Sequence, residues 1–133
     1  MKTAEDIFEF LVDAKVFYLA TAEGDQPRVR PYGAQLFYEG KIYIMAFGET
    51  NATHQIAANP KAEICAFNKG KTLRIECKLV KDNRPEVNKA LTKKMPALRP
   101  ALGDNGEKGV MYYLSEATAS SYKMMELEDV VKF

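Results

Sequence analysis

The chain has 133 residues, of which 47% are hydrophobic and 28% charged, the balance of one ordinary globular domain spanning 1–133. Its formal net charge is only +1, too small to serve as an electrostatic footprint for nucleic acid or an anionic membrane, although a small anionic ligand needs only a few local cations. No apolar run reaches the roughly 20 residues of a membrane span, and the acids of Met1-Lys2-Thr3-Ala4-Glu5-Asp6 do not suit a signal peptide, so a cytoplasmic protein is expected. One His and two Cys without close spacing make no metal site, and Cys65 and Cys77, both in apolar strand-like runs, read as free buried thiols.

Thr3 followed by Asp6 forms a capping signal, and Ile7, Phe8, Phe10, Leu11 and Ala14 recur at helical spacing, which predicts a helix over 4–14. Val16 to Ala22 reads as a buried strand, and Glu23-Gly24-Asp25-Gln26-Pro27 as a turn. A second strand is expected from Arg28 to Tyr38 and a third from Lys41 to Phe47, joined at Glu39-Gly40. Asn51 opens a short helix through Ala58, stopped by Asn59-Pro60. Ala62 to Asn68 and Thr72 to Lys81 follow as strands; strict alternation in the latter turns Leu73, Ile75, Cys77 and Leu79 inward. A helix begins near Arg84-Pro85 and ends before Pro96, and Leu98 to Lys108 reads as a flexible loop. Val110 to Leu114 and Ala117 to Met124 read as a closing hairpin, with a tail ending Val130-Val131-Lys132-Phe133. Short strands at hairpin spacing favour an antiparallel barrel over a doubly wound sheet, and no Gly-rich dinucleotide fingerprint is present.

The second strand carries the most chemistry. Period-2 geometry sets Arg28, Arg30 and Tyr32 on one face and Val29, Pro31 and Gly33 on the other. Adjacent guanidinium groups match a phosphate, whereas from composition alone the commoner arrangement is that both pair with surface carboxylates. Pro31 and Gly33 suit an edge or bulged strand that a flat ligand approaches closely. Thr50, Asn51 and Thr53 cluster at a helix start, where unpaired N–H groups and hydroxyls either receive an anion or simply cap the helix. His54 has no Ser, Cys or paired acid spaced to it for catalysis and reads as a surface histidine. No catalytic side chain is identified.

Leu19-Ala20-Thr21, Gly24-Asp25-Gln26-Pro27-Arg28-Val29-Arg30-Pro31, Gly40-Lys41-Ile42-Tyr43, Gln55-Ile56 with Asn59-Pro60, and Leu73-Arg74-Ile75-Glu76 follow one another in an order that resembles the pyridoxamine 5′-phosphate oxidase-like family of FMN-binding split barrels. The resemblance implies a mainly β fold with small helices, an antiparallel six- to seven-stranded split barrel, and a homodimer with FMN at the interface. It carries the family's phosphate-binding arginine onto Arg30, the strand pair whose backbone meets the flavin ring onto Met45 and Ala46, and the phosphate loop onto Thr50 and Asn51. Arg28, Val29, Pro31 and Gln55 complete the expected cofactor contacts. The family's loop usually carries Lys or Arg, which Thr50-Asn51-Ala52 lacks; losing one or two charge-assisted contacts of about 1.5–3 kcal/mol each weakens FMN binding more than about tenfold. The implied function is a flavin-dependent oxidoreductase acting on a small molecule, with NADH or NADPH as candidate reductant. The alternatives are a non-catalytic binding module for flavin, heme or deazaflavin, and a dimer that has lost its ligand. Vitamin B6 oxidase activity itself is not expected, because the C-terminal substrate-binding residues of those oxidases have no counterpart before Phe133.

Overall fold

A computed structural model describes residues 1–133. Helix α1 (Ala4–Ala14) starts on the expected capping box: the Thr3 hydroxyl accepts from the Asp6 N–H, and the Asp6 carboxylate accepts from the Thr3 N–H. Its Ile7, Phe8 and Leu11 are buried against the sheet. The strands are β1 (Phe17–Glu23), β2 (Gln26–Tyr32), β3 (Gln35–Tyr38), β4 (Lys41–Phe47), β5 (Lys61–Asn68), β6 (Lys71–Lys81), β7 (Gly109–Lys123) and β8 (Glu126–Lys132). Helix α2 (Asn51–Ala58) links β4 to β5, and α3 (Pro85–Lys94) leads into the short α4 (Arg99–Leu102) before β7.

All pairings are antiparallel, in the order β2-β1-β5-β6-β7-β4-β3, with β8 also on β7. Leu73, Ile75, Cys77 and Leu79 of β6 face the interior, as their alternation requires, while Arg74 and Glu76 are exposed. The main core also takes Phe17, Leu19, Ile44, Ile64 and Ala119; a smaller core under α3 gathers Leu36, Tyr43, Met45, Val87, Leu91 and Leu102. Cys65 and Cys77 are free thiols, Cys77 buried and Cys65 half-buried; burial pushes the Cys77 pKa up to about 12 and raises that of Cys65.

Four segments depart from expectation. The run Arg28–Tyr38 is two strands broken at Gly33-Ala34: β2 pairs with β1, and β3 with β4, so the chain crosses between the two ends of the strand order. Pro31 donates no backbone hydrogen bond, and at Gly33 a Cβ would lie 3.2 Å from the Lys15 carbonyl oxygen, so the crossover lies where pairing is weak and space is tight. The closing hairpin is instead the single long strand β7. It pairs with β4 over Gly109–Tyr113 and with β8 from Thr118 on, and its register with β6 shifts across Glu116-Ala117, where Glu116 has φ 48°. The tail is therefore a full strand, β8, turned by Met124-Met125 with φ 48° and 73°; these additions raise the strand count to eight. Finally, Leu98–Lys108 is partly ordered as α4, whose Leu102 is fully buried.

Candidate anion-binding cleft

Where β1, β2, the end of β4 and the start of α2 meet, an open cleft of about 540 Å³ is lined by Glu23, Arg28, Val29, Arg30, Tyr32, Phe47, Thr50, Asn51, Ala52 and Gln55. Strand register explains the arginine face. Arg28, Arg30 and Tyr32 stand opposite Thr21, Leu19 and Phe17 of β1, so they share the inward side, while β2 ends the strand order and its other edge is free.

The two arginines are held differently. Arg28 lies 2.9 Å from the Glu23 carboxylate, the surface pairing that composition suggested. Arg30 has no carboxylate partner. Its Nη1 donates to the Leu19 carbonyl oxygen at 3.2 Å and to Thr21 Oγ1 at 2.7 Å, and its Nη2 donates to Gln55 Oε1 at 2.7 Å. The Arg30 Nε–H and one hydrogen on Nη2 are left without a protein partner, and these neighbouring donors form the forked edge that matches two oxygens of a phosphate or carboxylate. Gln55 and Thr21 are both buried, and Thr21 Oγ1 donates to Gln55 Oε1 at 2.6 Å, so Arg30 is positioned by a rigid support that leaves its charge unneutralised. Burial raises the Tyr32 pKa, with the Arg30 charge opposing, and keeps a neutral phenol on the cleft wall.

Helix α2 supplies the opposite side. Thr50, rather than Asn51, is the N-cap: Thr50 Oγ1 accepts from the Thr53 N–H at 3.4 Å, and Thr53 Oγ1 accepts from the Thr50 N–H at 3.1 Å. This reciprocal box shifts the helix start by one residue and leaves the Asn51 and Ala52 N–H groups, both from cleft-lining residues, unpaired at the positive end of the helix dipole.

Six expected contact residues, Arg28, Val29, Arg30, Thr50, Asn51 and Gln55, are thus brought together. Three are not. Pro31 lies on the outer face, and the Met45 and Ala46 side chains are buried in the two cores because β4 is covered on both sides there. Of that segment only the next residue, Phe47, lines the cleft, although β3 stops opposite Ile44 and leaves Met45–Phe47 with no strand on that edge. Glu23, Phe47 and Ala52 line the cleft without having been singled out from sequence; Glu23 shares its strand face with Thr21, the one available signal. His54 is exposed, lies 3.6 Å from Glu49 and does not line this cleft.

The topology places the chain among the antiparallel split-barrel proteins. More narrowly, it belongs to the pyridoxamine 5′-phosphate oxidase family, whose model matches residues 3–109. A protein of the NimC/NimA family from Clostridium acetobutylicum is similar over 98% of this chain and 93% of that one, at 34% identity and a TM-score of 0.91. General Stress Protein 26 from Bacillus anthracis shares the fold at 12% identity, with a TM-score of 0.75 and 98% of each chain covered. The heme storage protein HutZ from Vibrio cholerae does so at 14% identity and a TM-score of 0.58, covering 86% of this chain and 90% of that one. No curated protein sequence matches. No helix is long and apolar enough to cross a membrane.

Proposed function

We propose that this chain binds FMN in the cleft between β2 and α2, as a cytoplasmic homodimer, and acts as a flavin-dependent oxidoreductase on a small molecule. The observation that carries the reading is Arg30: a fixed guanidinium with no carboxylate partner, its free donor edge in the same cleft as the unpaired N–H groups of Asn51 and Ala52. A phosphate of about −2 charge meets those donors, and Arg28, Thr50 and Asn51 complete its surroundings. Phe47, Tyr32, Val29 and the open backbone edge of Met45–Phe47 offer apolar and flat surface for a ring system. When bound, the flavin supplies the redox chemistry; the protein orients it, fixes its phosphate and presents one ring face to the small molecule. No side chain in the cleft is assigned an acid–base role.

Dimerisation is supported by the outer face of the sheet. Register aligns Pro31, Tyr18, Cys65, Arg74, Ser120 and Val130 in one row across six strands, and Phe67, Thr72, Tyr122 and Leu127 in the next. Of these, Tyr18, Phe67, Leu127 and Val130 are about half exposed or more, as is the neighbouring Val29, which also lines the cleft. An apolar face of this breadth needs a cover. A second copy seated on it would stand beside the cleft and bury more than about 2,000 Å² in total.

Absorbance of the purified protein, or of protein mixed with FMN, tests the cofactor. A bound band near about 450 nm and its bleaching by NADH or NADPH are expected; a band near about 400 nm would assign heme, and failure to retain added FMN would overturn the reading. Light scattering should give twice the chain mass, and a monomer at micromolar concentration would overturn the dimer.

A further inference from the structure

The cleft contains one acid among its cations, and that acid is already engaged. Glu23 Oε1 lies 2.9 Å from Arg28 Nη2, and Glu23 Oε2 lies 3.5 Å from Gln55 Nε2. Gln55 in turn accepts from Arg30, so a continuous polar chain runs Arg28–Glu23–Gln55–Arg30 along the cleft wall. Among the charged side chains lining the cleft, only Glu23, Arg28 and Arg30 occur, and the Glu23 carboxylate takes the Arg28 Nη2 donor and offsets the Arg28 charge. Both members of the pair are about half exposed, so the contact is weak and can be exchanged. Arg30, in contrast, is pinned by three acceptors, all neutral.

We propose that Glu23 is an internal counter-ion that competes with the ligand's phosphate for Arg28, so that the cleft holds one permanently available cation, Arg30, and one that must be released. The inference rests on the reading of the cleft as a phosphate site and adds a residue that sets its selectivity. With Arg28 engaged, the cleft has a net charge near +1 and accepts a singly charged or neutral ligand with little reorganisation. A phosphomonoester dianion gains the Nη2 donor and the full charge of the second arginine only by displacing the Glu23 carboxylate, which then turns to solvent. Glu23 thereby lowers the advantage of a phosphorylated ligand over its unphosphorylated counterpart. The Glu23 carboxyl, held below its ordinary pKa chiefly by the Arg28 hydrogen bond, stays ionised and competing at neutral pH.

The test uses the full chain as wild type, Glu23→Gln, Arg28→Ala and the double variant, titrated with FMN and with riboflavin by fluorescence quenching. Glu23→Gln is expected to tighten FMN about five- to tenfold, to move riboflavin less than about twofold, and to lose part of its gain as salt is raised. In the Arg28→Ala background, Glu23→Gln should bring no gain, because the cation it releases is gone. Unchanged or weaker FMN binding by Glu23→Gln, or a gain that survives without Arg28, overturns the proposal; the former outcome would mean that Glu23 serves to orient Gln55 and Arg30. Inorganic phosphate, titrated against thermal unfolding in the same four proteins, separates the two readings. If the wild type binds neither flavin, the FMN assignment falls, and the order of phosphate affinities still decides the role of Glu23.

Discussion

Arg30 and Arg84 show two uses of the same side chain at two ends of the barrel. Arg84, at the start of α3, donates to both Asp82 carboxylate oxygens at 2.9–3.2 Å and lies 2.7 Å from Glu39. Asp82 also accepts from the buried Tyr43 hydroxyl at 2.8 Å. That end is saturated: the Arg84 guanidinium is consumed by carboxylates, Asp82 and Glu39 closest and Glu86 at 3.9 Å. Burial, with the Asp82 hydrogen bond, pushes the Tyr43 pKa up to about 12, so the phenol stays a donor, while Arg84 and then Tyr43 pull the Asp82 carboxyl down to about 2. At the cleft end the protein supplies Arg30 with carbonyl, hydroxyl and amide oxygens only. The difference teaches that an arginine becomes a binding element when its geometry is fixed by neutral acceptors, and a structural one when carboxylates consume its charge.

Five measurements press on this contrast. The largest effect is expected where both ends depend on the common core: Ile75→Ala, at a fully buried β6 position, should cost about 2–5 kcal/mol in denaturant unfolding, and a cost near zero would mean that β6 does not hold the barrel together. Next, Arg30→Ala should weaken FMN about a hundredfold while riboflavin changes little, and leave unfolding stability nearly intact. Equal losses for both flavins would place Arg30 with Arg84 as a structural residue and break the contrast. At the saturated end, Tyr43→Phe should cost about 1–2 kcal/mol of stability without altering flavin affinity.

The same end should show acid sensitivity. Because the folded Asp82 pKa is depressed to about 2, its contribution is fully present above its unfolded pKa of about 3.9 and is lost as pH falls toward about 2. Asp82→Asn should therefore be less stable than wild type at neutral pH, and the gap should close across that window; a gap independent of pH would assign the loss to packing. The smallest effect is expected from Asn51→Lys, which restores a cation to the α2 start and should tighten FMN several-fold in a salt-sensitive way. No change would move the phosphate away from α2.

Much of the cleft was legible because strand periodicity is local. Alternation alone put Arg28, Arg30 and Tyr32 on one face and Leu73, Ile75, Cys77 and Leu79 inside, and capping chemistry located the starts of α1 and α2 to within a residue. The break at Gly33-Ala34 was not legible, since a continuous β-prone run carries no mark of a partner change. Nor was the β7–β8 turn: Met124 and Met125 adopt positive φ without the Gly or Asn that normally announces it, so nothing in the sequence marks off the last strand.

The amino-acid sequence by itself determined the mainly β class, the starts of α1 and α2, the inward strand faces and the placing of two arginines on one face of a strand. Only the tertiary structure decided what those arginines are. Arg28 meets a carboxylate five residues away, while Arg30 meets Gln55 from another element, and nothing in the spacing distinguishes the two. Whether a cation is neutralised or available depends on which acceptors the folded sheet and helix bring within about 3 Å of it. That is a property of long-range register and helix docking, which leave no periodic trace in the chain.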